Sequence, residues 1–237
     1  MSEVVKNPCS QREVSSMFDD ISAKYDFLNG LLSLHQDKRW RKELLKQVPQ
    51  SKGGHFLDVA TGTGDVLIAC EKAGKGYGTY TGVDISPGML GVAEKKIKQG
   101  SLTAKVFEQS AEALRFEKNS LDCLTISFGL RNVNNRDRAL ELFRELLKPG
   151  ASLIILEFFL PEKKILSNLF MIYFRYILPQ IGGIFSSKKA YTYLPESLRS
   201  FYSAKQLSQK LKDLGMTCKT RKSFIFGSCE LLVFQKN

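Results

Sequence analysis

Apolar positions along this chain change their period twice. Between 12 and 48 they recur every three or four residues. Val14, Met17, Phe18, Ile21 and Tyr25 make one stripe, and Trp40, Leu44, Leu45 and Val48 a second. That is the spacing of helices buried along one side. Asp37 stands where it would cap the second helix, and Pro49 where it would stop it. Beyond residue 50, short apolar runs alternate with amphipathic stretches. His55–Val59, Tyr77–Asp84, Ala104–Phe107, Leu121–Ser127 and Ser152–Phe158 read as strands. Leu121–Ser127 is apolar on both faces and so central in a parallel sheet. Between the strands, a helix is predicted after Asp65. Another starts at Pro87, with Met89, Leu90, Ala93 and Ile97 inward. A third covers Ala139–Leu147 and ends at Lys148-Pro149-Gly150. Short helices at Pro195–Ser200 and Ala204–Leu214 precede strands at Met216–Arg221 and Ser228–Gln235. The pattern predicts a Rossmann-like α/β fold, a seven-stranded, mostly parallel sheet with helices on both faces. No internal repeat or low-complexity linker divides it. The simplest organisation is one domain, with a helical extension over 1–50 and an α/β body over 51–237 that carries a lid-like insertion near 161–200.

The stretch 165–185, ILSNLFMIYFRYILPQIGGIF, holds a single charge and approaches the length of a membrane span. Arg175 at its middle, Pro179, and Gly182-Gly183 argue against a span. It reads as a helix that lies buried or lid-like over the sheet edge, offering apolar surface to a greasy substrate or to a membrane interface.

The candidate chemistry gathers after the strands. In HFLDVATGTGD (His55–Asp65) a strand runs into Asp58, then a turn with Gly62 and Gly64, then a helix. Glycines let backbone pass close beneath a ligand, and the helix start points free N–H groups at it. A dinucleotide loop needs a third small residue, and Leu67 occupies that position. A phosphate-binding P-loop needs a Lys that is absent. Asp58 and Asp65 flank the turn and would repel a pyrophosphate. S-adenosylmethionine, a sulfonium with no phosphate, suits such a turn; an ordinary tight turn with solvated acids has the same spacing. Asp84 ends the next strand about 20 residues on, where a carboxylate accepts from both ribose hydroxyls of an adenosine. Gln109-Ser110-Ala111-Glu112 forms a polar turn able to hold an adenine. Ser127-Phe128-Gly129-Leu130-Arg131-Asn132 is a polar cluster directly after the central strand. All these groups share the carboxyl edge of the sheet, where ligands of open α/β folds bind.

Charge and composition narrow the class. The 237 residues are 43% hydrophobic, enough for a sizeable core, with a net charge of +11. Residues 161–237 hold 13 Lys/Arg against 4 Asp/Glu, so +9 of that excess lies in the last third. Such a face attracts nucleic acid or anionic lipid, or merely solubilises. Cys9, Cys70, Cys123, Cys218 and Cys229 are scattered, with no Cys-x-x-Cys pair, and the histidines are His35 and His55 alone. That argues against disulfides and against a zinc site, and for a reducing compartment. The N-terminus carries no apolar signal core, so a cytoplasmic protein is expected.

Several segments together resemble the demethylmenaquinone/ubiquinone C-methyltransferases, a branch of the S-adenosylmethionine-dependent methyltransferases. They are Phe18-Asp19-x-Ile21 with Lys24-Tyr25-Asp26 and Asn29; Leu57-Asp58-x-Ala60-x-Gly62-Thr63-Gly64-Asp65; Ala111-Glu112-Ala113-Leu114; Thr125–Val133; Leu147-Lys148-Pro149-Gly150; Leu156-Glu157-Phe158; and Tyr191-x-Tyr193-Leu194-x-Glu196-Ser197. ISFGLRNV is the restrictive one. Differences from the family pattern occur at Ser33–Asp37, at Arg115 and at Ser110. The resemblance implies a class I methyltransferase fold, with cofactor contacts at Thr63, Asp84, Ser110, Ala111 and Ser127. It implies methylation of a ring carbon of a prenylated quinol. Arg131 is then the candidate to favour the quinol oxyanion, with Asn132 and Tyr25 placing the hydroxyl or a bridging water. The competing role for Arg131 is a structural pair with Asp26 or Glu157. A prenylated substrate implies peripheral contact with the inner face of the membrane. An RNA methyltransferase would want a nucleic-acid face or an added module, and none is recognisable. A non-catalytic regulator on the same fold is the second rival, and an NAD-dependent oxidoreductase the least favoured. Self-association into a homodimer is left open.

Overall fold

The computed structural model describes residues 9–33, 35–172 and 188–237. Three helices lead: α1 (Gln11–Ile21), α2 (Tyr25–Leu32) and α3 (Gln36–Gln47). Ser10 starts α1 with a capping box that its side chain shares with Glu13. Asp37 does not cap α3. It lies inside the first turn, nearly buried, where it accepts from the Ser33 hydroxyl at 2.8 Å and pairs with Arg41. The α/β body follows with β1 (His55–Val59), α4 (Asp65–Lys72), β2 (Thr79–Asp84), α5 (Pro87–Gln99), β3 (Lys105–Glu108) and β4 (Leu121–Ser127). Then come α6 (Arg136–Leu146), β5 (Leu147–Phe158), α7 (Lys164–Ile172), α8 (Lys188–Arg199), α9 (Ala204–Asp213), β6 (Met216–Phe224) and β7 (Cys229–Lys236).

The seven strands form one sheet in the order β3-β2-β1-β4-β5-β7-β6. Only β7 runs against the rest, slotted antiparallel between β5 and β6. The β1, β2, β4 and β5 ends therefore meet at one edge, and β6 ends there too. Alternation along β1 shows why both faces bury: Phe56 enters the layer with Trp40, Leu44, Val66 and Ile97, while Leu57 and Val59 enter the layer with Phe143, Leu207 and Leu211. Helices α3, α4 and α5 thus cover one face, and α6 and α9 the other.

Several strand and helix boundaries shift by one to three residues from the sequence pattern, and two differ by more. The fifth strand begins at Leu147, because Leu121 pairs with Leu147 before the register shifts and Cys123 pairs with Ser152. Lys148-Pro149-Gly150 is a kink within the strand. Pro195 lies inside α8 rather than at its start. Of the apolar stretch 165–185, α7 takes the part up to Ile172. Residues 173–187, with Arg175, Pro179 and Gly182-Gly183, lie outside the described residues. No described helix is long and apolar enough to cross a membrane.

Candidate functional site

The turn after β1 is built by backbone. Thr61 N–H donates to Val83 O at 3.0 Å, and Gly64, at φ 81°, closes the turn onto Thr61 O. That left-handed conformation explains a glycine at 64. Leu67, the residue that breaks a dinucleotide fingerprint, packs against Gly82: a Cβ on Gly82 would meet its Cδ2 at 2.8 Å. The small residue that lets helix and strand approach sits on the neighbouring strand instead.

Asp84 ends β2 beside that turn. One carboxylate oxygen accepts from Gly62 N–H at 2.8 Å, the other from Ser86 N–H at 3.0 Å. Burial raises its pKa, and the backbone donors partly offset this. Asp58 points elsewhere. It sits beneath the turn at 2% exposure and accepts from the Thr61 and Thr125 hydroxyls at 2.7 and 2.6 Å. Burial pushes its carboxyl up to about 6. Asp65 also turns away, paired with Arg41 at 2.5 Å and Lys96 at 2.7 Å. Lys96 joins Asp26 as well, and Asp26 accepts from the Thr63 hydroxyl at 2.6 Å. This network stitches α2 and α3 to α4 and α5.

The N-terminal helix crosses the same edge. Ser15 donates to Ile85 O at 2.8 Å. Asp19 accepts from the Ser86 hydroxyl at 2.6 Å and from Gly88 N–H at 2.8 Å. A carboxylate there complements the positive end of α5.

The second wall follows β4. Phe128 adopts φ 58°, a strained conformation for a bulky residue, and donates its N–H to Leu156 O at 2.7 Å. Its ring meets Phe158 at 4.7 Å and Trp40 at 6.0 Å. Gly129 passes so close to Ala60 that an added Cβ would lie 2.4 Å from the Ala60 Cβ. Arg131 is buried, and its guanidinium donates to Glu157 Oε1 at 2.6 Å and to Phe128 O at 2.8 Å. Glu157 is fully buried and also accepts the Arg131 and Phe158 N–H groups. Arg136, equally buried, donates to Arg131 O at 2.7 Å and to Ser200 O. Asn132 accepts at Oδ1 from the Tyr193 hydroxyl at 3.1 Å.

Between the walls lies a cleft that opens to solvent. Of the residues singled out in the sequence, Tyr25, Gly62, Asp84, the turn Gln109–Glu112, Ser127–Gly129 and Asn132 line it. Asp58, Thr63 and Gly64 shape the turn without lining the cavity. Arg131 stands behind the wall, because a buried guanidinium takes the carboxylate that Glu157 offers. Trp40 packs in the core. Sequence reasoning missed Val14 and Phe18 of α1, along with Met89 and Asn134, which also line the cavity. An apolar stripe reads the same whether it covers a core or a ligand.

The expected repulsion of phosphate therefore has another source. Asp84 and Glu112 line the cavity, and among the described lining residues there is no Lys or Arg. Ser127 Oγ is buried there without a hydrogen-bond partner. Desolvation raises the pKa of the Tyr25 phenol, with Asn29, Arg41 and Arg131 opposing that rise. The walls thus suit a cationic nucleoside that brings donors to Asp84 and a partner to Ser127.

Comparison with known proteins places the chain in a family. The ubiE/COQ5 methyltransferase family matches residues 6–234. The ubiquinone/menaquinone biosynthesis C-methyltransferase UbiE of Geobacter sulfurreducens is 36% identical over 225 residues, covering 94% of this chain and 88% of its own. The demethylmenaquinone methyltransferase of Staphylococcus aureus (strain JH9) is 36% identical over 222 residues, covering 93% and 92%. Among solved structures, the cyclase SpnF has a TM-score of 0.74 at 16% identity, covering 100% of this chain and 99% of its own. A SAM-dependent methyltransferase from Aquifex aeolicus has a TM-score of 0.59 at 18% identity, covering 82% and 88%. These two likenesses speak for the fold alone. With the sequence match spanning nearly its whole length, the chain belongs to the ubiE/COQ5 methyltransferase family.

Proposed function

We propose that this protein transfers the methyl group of S-adenosylmethionine to a ring carbon of a prenylated quinol, converting demethylmenaquinol to menaquinol. A benzoquinol of ubiquinone biosynthesis is the second reading, because the name of the Geobacter relative covers both quinones. One observation carries the proposal: the run Ser127–Asn132, the most restrictive stretch of the family resemblance, contributes to the wall of the cavity that also contains Asp84.

The bound cofactor supplies a methyl made electrophilic by its sulfonium. The chain's task is alignment and exclusion of water. Asp84 keeps acceptor capacity for ribose hydroxyls beyond its two backbone donors. Ser127 Oγ gains the partner it lacks. Gly62, Gly64, Thr63 and Asp58 hold the turn in shape, while Ser110 and Ala111 border the adenine side. A quinol hydroxyl has a phenol-like pKa of roughly 10. Tyr25, its own pKa raised, stays protonated at neutral pH and serves as a hydrogen-bond partner of that hydroxyl rather than as a base. Asn132 is the second such partner. Arg131 acts through the wall: it fixes the turn that carries Asn132, and its charge, tempered by Glu157, favours the oxyanion. A prenylated quinol resides in the bilayer, so the enzyme meets it at a membrane surface, and the basic last third suits anionic headgroups. Labelled S-adenosylmethionine, incubated with each demethylated quinol and extracted into organic solvent, tests the reaction. Label in the organic phase is expected; none with either quinol ends the proposal.

A further inference from the structure

Among the described residues, Phe226 at 82% and Ile165 at 76% are the most exposed large apolar side chains. They share one end of the molecule. Phe226 lies in the turn between β6 and β7, and Ile165 in the first turn of α7. An open groove lined by Glu162, Lys163, Leu166, Arg221, Phe226 and Glu230 joins the two elements. The β6–β7 turn is strained in a way that keeps it outward. Ile225 and Phe226 adopt φ 43° and 54° in succession, and Ile225 is itself 49% exposed. A β-branched residue at positive φ is an outlier that persists only where the surroundings impose it.

Topology gives this turn its meaning. β6 runs parallel to β1, β2, β4 and β5, so its end lies on the same sheet edge as the cavity. Phe224, at the root of the turn, is 6.3 Å from Trp40, which is 6.0 Å from the cavity residue Phe128. Lys163 and Lys164 at the start of α7 and Lys219 on β6 are exposed cations, while Arg221 pairs with Glu230 and Lys222 with Glu43. Apolar tips flanked by the exposed Lys163 and Lys164 match a lipid surface with anionic headgroups.

We propose that the β6–β7 turn, with Ile225 and Phe226 at its tip and the start of α7 beside it, docks this protein onto an anionic lipid bilayer. The proposal rests on the quinol reading above and adds the surface that serves it. Docking there turns the cavity edge toward the bilayer, the side from which a prenylated ring arrives.

Flotation with vesicles of phosphatidylcholine alone, or mixed with phosphatidylglycerol, tests it on the full chain. The parent is expected to float with the mixed vesicles in a salt-sensitive manner. Ile225→Ser/Phe226→Ser removes two apolar anchors and is expected to weaken partitioning by about tenfold or more. Lys163→Glu/Lys164→Glu is expected to lose the preference for anionic vesicles. Phe107→Ser, on strand β3 at the opposite margin of the sheet, is expected to float like the parent. Thermal melts and methylation of a tail-less quinol analogue in solution are expected to stay at the parent level in the tip variant. Equal flotation of the tip variant overturns the proposal. So does a parent that does not float, or a tip variant that converts a dimeric parent into monomers, since the turn would then join two copies. A parent that floats but cannot methylate the soluble analogue refutes the quinol reading and leaves the docking surface standing.

Discussion

The two walls of the cavity keep their shape by different means. The wall around Gly62 and Asp84 is held mainly by backbone: the turn closes on itself, and Asp84 accepts main-chain N–H groups on both oxygens. The wall around Arg131 and Asn132 is held by buried charge. Arg131, Glu157 and Arg136 come from three places in the chain and meet with almost no exposure. The first wall is a shape that many sequences can make. The second depends on particular partners and fails when one is removed.

Breaking the buried pair gives the largest expected effect. Arg131→Ala leaves the Glu157 carboxylate buried without its guanidinium, a change that costs about 3–5 kcal/mol. Chemical denaturation is expected to show that loss, and the added change Glu157→Gln to restore most of it. The double variant is expected to bind S-adenosylmethionine by calorimetry yet turn over little. Normal turnover by the refolded double variant would reduce Arg131 to a structural pair.

The backbone wall contains one charge that can be tested by pH. The Asp58 carboxyl titrates at about 6 instead of its usual 3.8. The folded state therefore holds this proton more tightly than the unfolded chain does. Its contribution favours folding below pH 4 and is lost as pH rises from about 4 to about 6, an effect of roughly 3 kcal/mol. Asp58→Asn keeps an acceptor for one threonine hydroxyl, offers an N–H donor to the other, and removes the titration. Melting temperature against pH is expected to fall less steeply across that window than in the parent. An unchanged slope would mean that Asp58 is already ionised there.

Where the two walls touch, Gly129→Ala forces a Cβ into Ala60. Overpacking of this kind costs about 1–3 kcal/mol. Because Ala60 and Gly129 both line the cavity, cofactor affinity is expected to fall together with stability. Stability loss with unchanged affinity would show that the two loops move apart without disturbing the site.

The contrast also explains what the sequence made legible. Gly62, Gly64 and Asp84 were readable because their geometry is local or separated by one strand–helix unit. The same segment misled at Asp58 and Asp65. An acid's position in a motif carries no direction, and the partners that turn these two away, Thr125 for Asp58 and Arg41 and Lys96 for Asp65, lie far along the chain. Glu157 was one of two acids weighed as a partner for Arg131. Spacing could not choose between them, since the pairing depends on β5 lying beside β4. Val14 and Phe18 show the same limit, since helical period gives a buried side but not what that side covers.

The smallest expected effect concerns how the charged wall reaches the substrate. Asn132 is oriented by the Tyr193 hydroxyl from α8, which donates to Oδ1 at 3.1 Å. That leaves the amide Nδ2 directed by its contact with Phe128 O at 3.4 Å, long enough to yield to a better acceptor. Tyr193→Phe keeps the ring, 5% exposed, and deletes only the donor. One neutral hydrogen bond contributes about 0.5–1.5 kcal/mol, so the variant is expected to lose roughly three- to tenfold in kcat. The KM for S-adenosylmethionine should hold, because the backbone wall is untouched. A structural role for Tyr193 would instead lower the melting temperature and leave kcat alone. Loss of kcat at constant melting temperature would place α8, through one hydroxyl, in control of the residue proposed to meet the quinol.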